Sequence, residues 1–291
     1  MPPAVTSEPT RAAGARVHGD GVDYLVWAPD HGGMRVAVTR ADGEEELLTL
    51  EASGGGYFGL RDARGQAGDL YHFVLPDGTR RPDMWSRFQP RGVHGPSECI
   101  DPRTYRWRTD DWRRPEWRDH VLYELHVGAF TREGTFRAAV EKLDHVRALG
   151  ATAIELMPVA DFPGERNWGY DGVSLFAPAR CYGRPDDLRH LIDEAHARGL
   201  AVILDVVYNH LGPDGNYLGV YAKEYFHRER STPWGQAFDL DRAPVRGFFL
   251  ANAAYWLDEF RFDGLRLDAT HAIVDRAERH LLAEIADLAH A

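Results

Sequence analysis

The stretch AVILDVVYNH, residues 201–210, decides the fold. Its apolar, partly β-branched run is typical of a strand that is buried on both faces of a parallel sheet. Similar runs occur at 121–127, 151–157 and 264–268, and helix-like stretches with apolar residues every three or four positions separate them. This alternation of strand and helix predicts a parallel sheet covered by helices.

The repeated unit favours an α/β (β/α)8 TIM barrel, of which residues 111–291 would form the first half, about four βα units, truncated before strand five. A complete barrel needs about 250 residues and eight units. A doubly wound sheet also accommodates four units, but no GxGxxG follows the first strand. Helices are predicted at 135–149, at 185–198, around 245–260 and from Val274 onward.

The amino-terminal third of the chain has a different pattern. After a polar tail over residues 1–20, residues 21–79 alternate turn clusters with short apolar and aromatic stretches. This predicts a small antiparallel β-sandwich. A segment rich in Pro, Arg and Trp follows it and reads as a linker. We therefore place a β-sandwich with its linker at 21–110, before the barrel segment.

Composition limits the partners that the protein can have. The 291 residues are 44% hydrophobic and 27% charged, which fits a globular protein, and the net charge of −11 disfavours nucleic acid and anionic membranes. Neither a secretory signal nor a transmembrane run is present, so a cytoplasmic location is expected. Cys99 and Cys181 lack the spacing of a zinc site, and no P-loop occurs; no cofactor and no metal are predicted.

Polar residues collect where the predicted strands end. Asp205 and His210 lie at the end of strand three, and Arg266, Asp268 and His271 lie at the end of strand four, which is the edge where barrel enzymes place their chemistry. Arg266 and Asp268 are two residues apart and so share one face of a strand. A guanidinium beside a carboxylate keeps it ionised, as a nucleophile requires. The pair could equally be structural, but the convergence of further polar groups favours a site.

Aromatic side chains lie in the loops that lead to the same edge. Trp168 and Tyr170 flank a glycine near Asp171, and aromatic faces suit the CH faces of a sugar while carboxylates suit its hydroxyls. An aromatic loop can also simply pack. Trp234, in a later loop, leaves the same choice open, whereas Trp256 sits on a predicted helix and is best read as core.

Three blocks carry a family resemblance. DVVYNH at 205–210, GLRLDATHAI at 264–273 and WGYDGVSLFAP at 168–178 resemble the conserved blocks of the alpha-amylase superfamily, in the same order. YLVWAP at 24–29 and GDLYHFVLPDG at 68–78 resemble the immunoglobulin-like amino-terminal domain of its branching, debranching and trehalose-releasing members. The resemblance therefore implies an all-β immunoglobulin-like sandwich followed by half of a catalytic barrel.

Within the superfamily, the segments 123–136, 153–173 and 205–218 look most like maltooligosyltrehalose trehalohydrolases. This implies a retaining α-glycoside hydrolase that cuts the α-1,4 bond next to the terminal trehalose of maltooligosyltrehalose or a related α-1,4-glucan. The alternatives are a branching or debranching enzyme or, for these residues alone, an inactive glucan-binding piece. The expected partner is the remaining C-terminal part of the same enzyme.

The resemblance carries roles onto individual residues. It makes Asp268 the nucleophile and Arg266 its orienting partner. His210 holds the glucose before the scissile bond, Tyr170 stacks on that same glucose, and Asp205 supports the site from strand three.

Other positions are less completely matched. His271 lies where family members approach the sugar beyond the cut, and Trp168 and Asp171 are expected to bind substrate. The general acid, a Glu after strand five, and a later Asp have no counterpart, because Glu284 lies within a predicted helix. Asn209 matches a calcium ligand of some amylases, but its companion ligands cannot be traced and no metal is predicted.

Overall fold

The computed structural model describes residues 13–290, so most of the predicted polar tail lies outside the described residues. Residues 14–18 are an exception, because they form the first strand. Ala15 and Val17 are buried there, whereas Arg16 between them is exposed, so the alternation that marks a half-buried strand begins before the predicted boundary at residue 21.

Within the described residues 13–98, nine strands form two antiparallel sheets. They are β1 (Gly14–His18), β2 (Gly21–Trp27), β3 (Arg35–Thr39), β4 (Glu45–Thr49), β5 (Glu51–Gly54), β6 (Tyr57–Asp62), β7 (Leu70–Val74), β8 (Arg80–Arg81) and β9 (Ser97–Glu98). One sheet has the order β1-β2-β6-β5, and the other has the order β4-β3-β7-β8 with β9 also paired to β7. Strands are present throughout the range 21–79 where the sandwich was predicted, but β8 and β9 lie in the segment that was predicted to be a linker.

The rest of that segment, residues 101–119, is tied to the α/β part, and we call it the strap. Tyr105 and Thr109 donate hydroxyl hydrogen bonds to Asp193 at 3.2 and 2.7 Å. Trp112 donates its indole N–H to Asp263 at 2.7 Å. Both acceptors are buried, so the strap satisfies carboxylates that would otherwise be costly to bury.

The α/β part contains a four-stranded parallel sheet in the order β10-β11-β14-β17, as predicted. The strands are β10 (Leu122–Leu125), β11 (Ala153–Leu156), β14 (Ala201–Val206) and β17 (Gly264–Leu267). Two hairpins extend from the loops after β11 and β14: β12 (Ala160–Asp161) with β13 (Ser174–Pro178), and β15 (Phe226–Thr232) with β16 (Gly235–Phe238). The parallel sheet is consistent with a partial barrel.

Seven α-helices accompany the sheet within residues 13–290: α1 (Val127–Phe130), α2 (Phe136–Val140), α3 (Leu143–Ala148), α4 (Pro185–Ala197), α5 (Leu218–Tyr221), α6 (Ala243–Ala254) and α7 (Leu281–His290). The predicted helix at 135–149 is interrupted by a turn between α2 and α3. Helix α6 continues as a π-helical turn at Tyr255–Glu259. None of the described helices is long and apolar enough to cross a membrane.

The prediction of a helix from Val274 onward is wrong, because α7 begins only at Leu281. The Asp275 carboxylate accepts backbone N–H bonds from Ala277 at 2.9 Å and from Leu281 at 2.6 Å, and it also pairs with Arg246. An aspartate that bonds to nearby backbone donors offers the chain an alternative to helix. Asp275 therefore holds residues 274–280 as an irregular turn.

One continuous core joins the β-sheets to the helical part. Trp85, from the segment between β8 and β9, stacks on Phe176 of β13 with ring centroids 4.8 Å apart. Trp27 of β2 meets Tyr225 edge-on at 5.2 Å. Trp256 is 2% exposed, as expected for a core residue. The two parts are thus packed through aromatic contacts, and the carboxyl ends of the parallel strands remain accessible.

Candidate active site at the carboxyl ends of the parallel strands

A single guanidinium joins two carboxylates at the end of the sheet. Asp205 on β14 and Arg266 on β17 are register neighbours. Nη1 of Arg266 lies 2.9 and 2.8 Å from the two carboxylate oxygens of Asp205 and 2.7 Å from Oδ1 of Asp268. Residues 205 and 266 face each other because the parallel strands pair without a register shift, so the sequence spacing places all three groups together.

Tyr170 completes the set of donors around Asp205. Its hydroxyl donates to Oδ2 of Asp205 at 2.9 Å. The Asp205 side chain is fully buried, and its ionised form therefore depends on the hydrogen bonds of Arg266 and Tyr170.

The combined effect of burial and these contacts is to raise the pKa of all three groups, Asp205, Arg266 and Tyr170. Burial raises the pKa of Asp205, while the hydrogen bonds of Arg266 and Tyr170 pull it down. Burial disfavours the charged form of Arg266, but its hydrogen bonds to Asp205 and Asp268 raise its pKa overall. Burial and then Asp205 raise the pKa of Tyr170. Arg266 thus stays cationic at neutral pH and Tyr170 stays a neutral donor.

Asp268 presents its carboxylate at the open face of the sheet. The side chain is 20% exposed, in contrast to the fully buried Asp205. Its backbone N–H still donates to the carbonyl of Val206 at 3.0 Å, but the next residue, Ala269, has a φ of 40°. A left-handed alanine is uncommon and costs free energy, and such residues cluster at functional sites. The strand therefore ends sharply at Asp268, which leaves the carboxylate accessible.

His210 is fixed on three sides. The amide nitrogen of Asn209 lies 2.8 Å from Nδ1, and Nε2 lies 2.8 Å from the carbonyl oxygen of Tyr170. With Asn209 donating to Nδ1, the Nε2–H donates to Tyr170, which defines the tautomer. Trp234, at the turn between β15 and β16, stacks on the imidazole with centroids 5.2 Å apart and an interplanar angle of 13°. The β15–β16 hairpin therefore contacts the site through the half-exposed ring of Trp234.

Residues 162–173 form the loop between β12 and β13, and we call it the site loop. Oδ1 of Asn167 accepts the N–H of Gly169 at 2.6 Å, and its amide nitrogen donates to Asp171 at 3.3 Å. Trp168 between them is 78% exposed. Gly212 lies against the backbone of Asp171 so closely that no side chain would fit. The loop is therefore locally rigid and directs Trp168 toward solvent.

Two further histidines, His126 and His271, differ from His210 in their contacts. Nε2 of His126 lies 2.6 Å from the carbonyl oxygen of Asn167 and 3.2 Å from the hydroxyl of Tyr182, so this residue supports the site loop. His271 is exposed in a short 3-10 turn, and within residues 13–290 it has no hydrogen bond to the residues around Asp205. The structure therefore does not bring His271 into the cluster.

Two further carboxylates lie on the neighbouring strands of the sheet, Glu124 exposed and Glu155 partly buried. Glu124 on β10 and Glu155 on β11 are register neighbours, and neither has a hydrogen bond or ion pair within the described part of the chain. Burial, then Glu124 and Asp205, raise the pKa of Glu155, while Arg266 opposes the shift. The sequence analysis missed this pair, because inside apolar runs a single Glu attracts little attention.

The structure thus unites five of the eight predicted site residues, namely Asp205, Arg266, Asp268, Tyr170 and His210. Asp171 and Trp168 lie beside them in the site loop. Asn167 was missed, although an asparagine two residues before a glycine is the usual signal of a turn closed by its side chain. Within residues 13–290, no three or more His, Cys, Asp or Glu side chains are grouped so that they could hold a metal ion.

The chain is similar to known proteins over most of its length. Residues 96–236 match the alpha-amylase catalytic-domain family. The chain is 45% identical to a malto-oligosyltrehalose trehalohydrolase of Saccharolobus solfataricus over 95% of its own length and 49% of the relative, and 46% identical to that of Deinococcus radiodurans over 94% and 44%. A 1,4-alpha-glucan branching enzyme of Corynebacterium jeikeium is 36% identical over 91% of the chain and 40% of that enzyme. The chain spans about half the length of the curated relatives it matches.

Solved structures show the same fold. A crystal structure described as a candidate alpha amylase from Salmonella typhimurium superposes with a TM-score of 0.90 and 46% identity, over 94% of this chain and 46% of that one. The pullulanase of Paenibacillus barengoltzii superposes with a TM-score of 0.78 and 24% identity, over 90% and 48%. The resemblance to the alpha-amylase superfamily that the motifs predicted is thereby confirmed.

Proposed function

We propose that this chain is the amino-terminal part of a glycoside hydrolase of the alpha-amylase superfamily, and that the whole enzyme releases trehalose from maltooligosyltrehalose. The trehalose-releasing relatives reach 45% and 46% identity, whereas the branching enzyme reaches 36% over a similar share of the chain. The difference supports the hydrolase over the branching enzyme. The second product would be a shortened maltooligosaccharide.

The domain organisation follows from this proposal. Residues 21–110, together with strand β1 at Gly14–His18 from the tail that was predicted at 1–20, would be an immunoglobulin-like sandwich with its linker, and residues 111–291 would be the first half of a (β/α)8 barrel. The two antiparallel sheets support the sandwich, and the parallel order β10-β11-β14-β17 supports the half barrel. The remaining strands would come from the rest of the whole protein.

The observation that carries the proposal is the Arg266 guanidinium that bridges Asp205 and Asp268 at the carboxyl end of the sheet. A nucleophilic carboxylate must be ionised, oriented and accessible to the substrate. Asp268 is bonded to a permanent cation and partly exposed, while Asp205 is buried and serves to hold Arg266. We therefore assign Asp268 as the nucleophile and Arg266 and Asp205 as the groups that orient it.

The reaction would follow a retaining double displacement. A carboxylate oxygen of Asp268 attacks the anomeric carbon, the glycosidic C–O bond breaks, and the leaving oxygen takes a proton from a general acid. We expect that acid to be a Glu from the rest of the enzyme, about 5–5.5 Å from Asp268. Water then attacks the glycosyl-enzyme, gives its proton to the same Glu and frees Asp268.

The remaining residues would hold the sugar. Tyr170 offers a ring face whose position is fixed by its hydroxyl bond to Asp205, and His210 lies next to it with a defined tautomer. Trp168 and Asp171 provide an exposed ring and a carboxylate on the site loop. His271, exposed in the 3-10 turn after Asp268, would contact the sugar beyond the cut.

The test uses the full-length parent protein with maltooligosyltrehalose as substrate. We expect free trehalose and a shortened maltooligosaccharide, measured by chromatography, and we expect Asp268→Asn to remove turnover while the melting temperature and glucan binding stay close to those of the parent. New α-1,6 linkages detected by NMR, or near-normal turnover of Asp268→Asn, would contradict the proposal. New α-1,6 linkages would indicate a branching enzyme, and near-normal turnover of Asp268→Asn would mean that Asp268 is not the nucleophile.

A further inference from the structure

The hairpin that carries the site loop has little backbone support of its own. Strand β12 has only two residues, and its pairing with β13 contains a register shift. One of the two pairs involves Pro178, which has no N–H to donate. Short ladders of this kind are marginal in water. Two flanking backbone bonds, from Val173 N–H to the Asp161 carbonyl at 2.9 Å and from Ala179 N–H to the Val159 carbonyl at 2.7 Å, close the ends of the hairpin but do not reach residues 162–164. A side chain fixes that first part of the loop.

The side chain of Arg180, just after β13, fixes it. Its Nη1 donates to Oδ1 of Asp161 at 3.0 Å and to the carbonyl of Phe162 at 3.2 Å, and its Nη2 donates to the carbonyl of Gly164 at 2.7 Å. The backbone N–H of Arg180 also donates to Oδ1 of Asp161, at 3.2 Å. One guanidinium thus holds three positions along the start of the site loop.

Asp161 is an unusual residue to find there. Its side chain is fully buried, and its Oδ2 has no hydrogen-bond partner. Burial raises the pKa of Asp161 to about 6, although Arg180 pulls it down. Burying an incompletely satisfied carboxylate brings little net stability. A role in geometry accounts for the pair better than a role in stability.

The loop continues directly into the candidate active site. Beyond Gly164, the carbonyl of Asn167 is bonded to His126, and the carbonyl of Tyr170 is bonded to His210. Arg180 therefore controls the stretch that precedes these anchors and leads to Trp168. We propose that Asp161 and Arg180 are positioning residues that set the site loop, and through it Tyr170 and Trp168, for sugar binding.

The kinetic part of this inference rests on the proposed function. Neither side chain touches Asp268, so a looser loop should weaken sugar binding more than the chemical step. In the full-length parent we expect Arg180→Met and Asp161→Asn to raise KM for maltooligosyltrehalose about tenfold, with kcat within about twofold. The matched control is Arg137→Met, because Arg137 forms an exposed ion pair with Asp187 away from the loop.

A second measurement does not depend on activity. Arg166 is exposed in the site loop, so the rate of tryptic cleavage after it, followed by mass spectrometry under native conditions, reports local opening. Asp161→Asn keeps every tryptic site and should be cut at least several times faster than the parent, while Arg137→Met should be cut at the parental rate.

A third measurement separates positioning from general damage. In Arg180→Ala, millimolar guanidinium should restore part of the lost affinity, because the ion can occupy the vacated place between Asp161 and the two carbonyls. Unchanged KM with unchanged cleavage after Arg166 would overturn the inference. So would equal losses in kcat and kcat/KM with a large drop in melting temperature and no rescue, which indicate a purely structural pair.

The two proposals fail in different ways. If the full-length parent releases no trehalose, the proposed function is wrong, and cleavage after Arg166 still decides whether the pair holds the loop. If the parent is active and the variants behave as Arg137→Met does, only the positioning role is wrong.

Discussion

Tyr170→Phe in the full-length protein tests the hydrogen-bonded cluster, because it removes one hydroxyl and keeps the ring. The lost bond is the one to the buried carboxylate of Asp205. A hydrogen bond to a charged group contributes about 1.5–3 kcal/mol. Since Arg266 still contacts both oxygens of Asp205, we expect the lower end of this range. That corresponds to a fall of about tenfold in kcat/KM.

The same change should also move the pH profile. The Tyr170 hydroxyl is one of the groups that lower the pKa of Asp205 against the effect of burial. Its removal therefore raises the pKa of Asp205, and the carboxylate is lost at a higher pH. The acidic limb of kcat/KM, measured as trehalose release between pH 4 and 8, should shift upward.

Tyr208→Phe is the matched control, since its hydroxyl donates at 2.8 Å to the uncharged amide oxygen of the buried Asn252. It should lower the melting temperature and leave the pH profile in place. Tyr170→Ala should reduce kcat/KM further than Tyr170→Phe, because it also removes the ring. If Tyr170→Phe had parental kcat/KM and an unmoved acidic limb, the cluster would not support catalysis as argued.

Three further changes test the fold. Trp256→Ala should lower the free energy of unfolding by about 3–5 kcal/mol, as expected for a core aromatic. Trp168 is exposed, so Trp168→Ala should leave thermal unfolding nearly unchanged. Equal losses of stability in the two variants would contradict the burial pattern. Burial raises the pKa of Asp83 to about 6, above its value in the unfolded chain, so the stability that protonation of Asp83 provides is present below about pH 4 and is lost as the pH rises through 6. Asp83→Asn should therefore make the melting temperature depend less on pH between pH 4 and 7. An unchanged dependence of the melting temperature on pH would contradict this prediction. Residues 1–291 alone should not hydrolyse glucans and should self-associate in size-exclusion chromatography. The reason for self-association is that β10 and β17 each have one unpaired edge and that Leu122 is 41% exposed. An active monomer would contradict the half-barrel prediction.

The parallel strands were predictable because each is a short, mainly apolar run and helix-like stretches separate the runs, which together are typical of a parallel sheet. The strand ends predicted that Asp205 and Arg266 lie at the same edge of the sheet, whereas their direct pairing is visible only in the structure. Strand β1 was missed since its alternation covers only five residues, and the start of α7 was misplaced because the hydrogen bonds of Asp275 involve Arg246 from a distant helix. Local patterns identify elements, but contacts between distant residues set their limits.

The contacts of the candidate site also fall into those that a local sequence pattern predicts and those that depend on distant segments. Asp268 and Arg266 could be found from a two-residue spacing, since a strand places both on one face. The stacking of Trp234 on His210 and the bonds of Arg180 to the site loop could not, because each joins segments whose proximity only the folded chain defines.

The strap has a consequence for how such proteins could exchange domains by recombination. Its donors lie at residues 105–112, whereas their acceptors, Asp193 and Asp263, belong to the α/β part. A chimera that takes a foreign β-sandwich but crosses over before residue 101 keeps donors and acceptors from one parent. A crossover after residue 119 combines a foreign strap with resident carboxylates, so Asp193 would lose the hydroxyl donors of Tyr105 and Thr109, and Asp263 would lose the indole donor of Trp112, wherever the parents differ. Asp263 would keep only His196 and the backbone N–H of Val202. Functional chimeras of this architecture should therefore have their junctions before the strap.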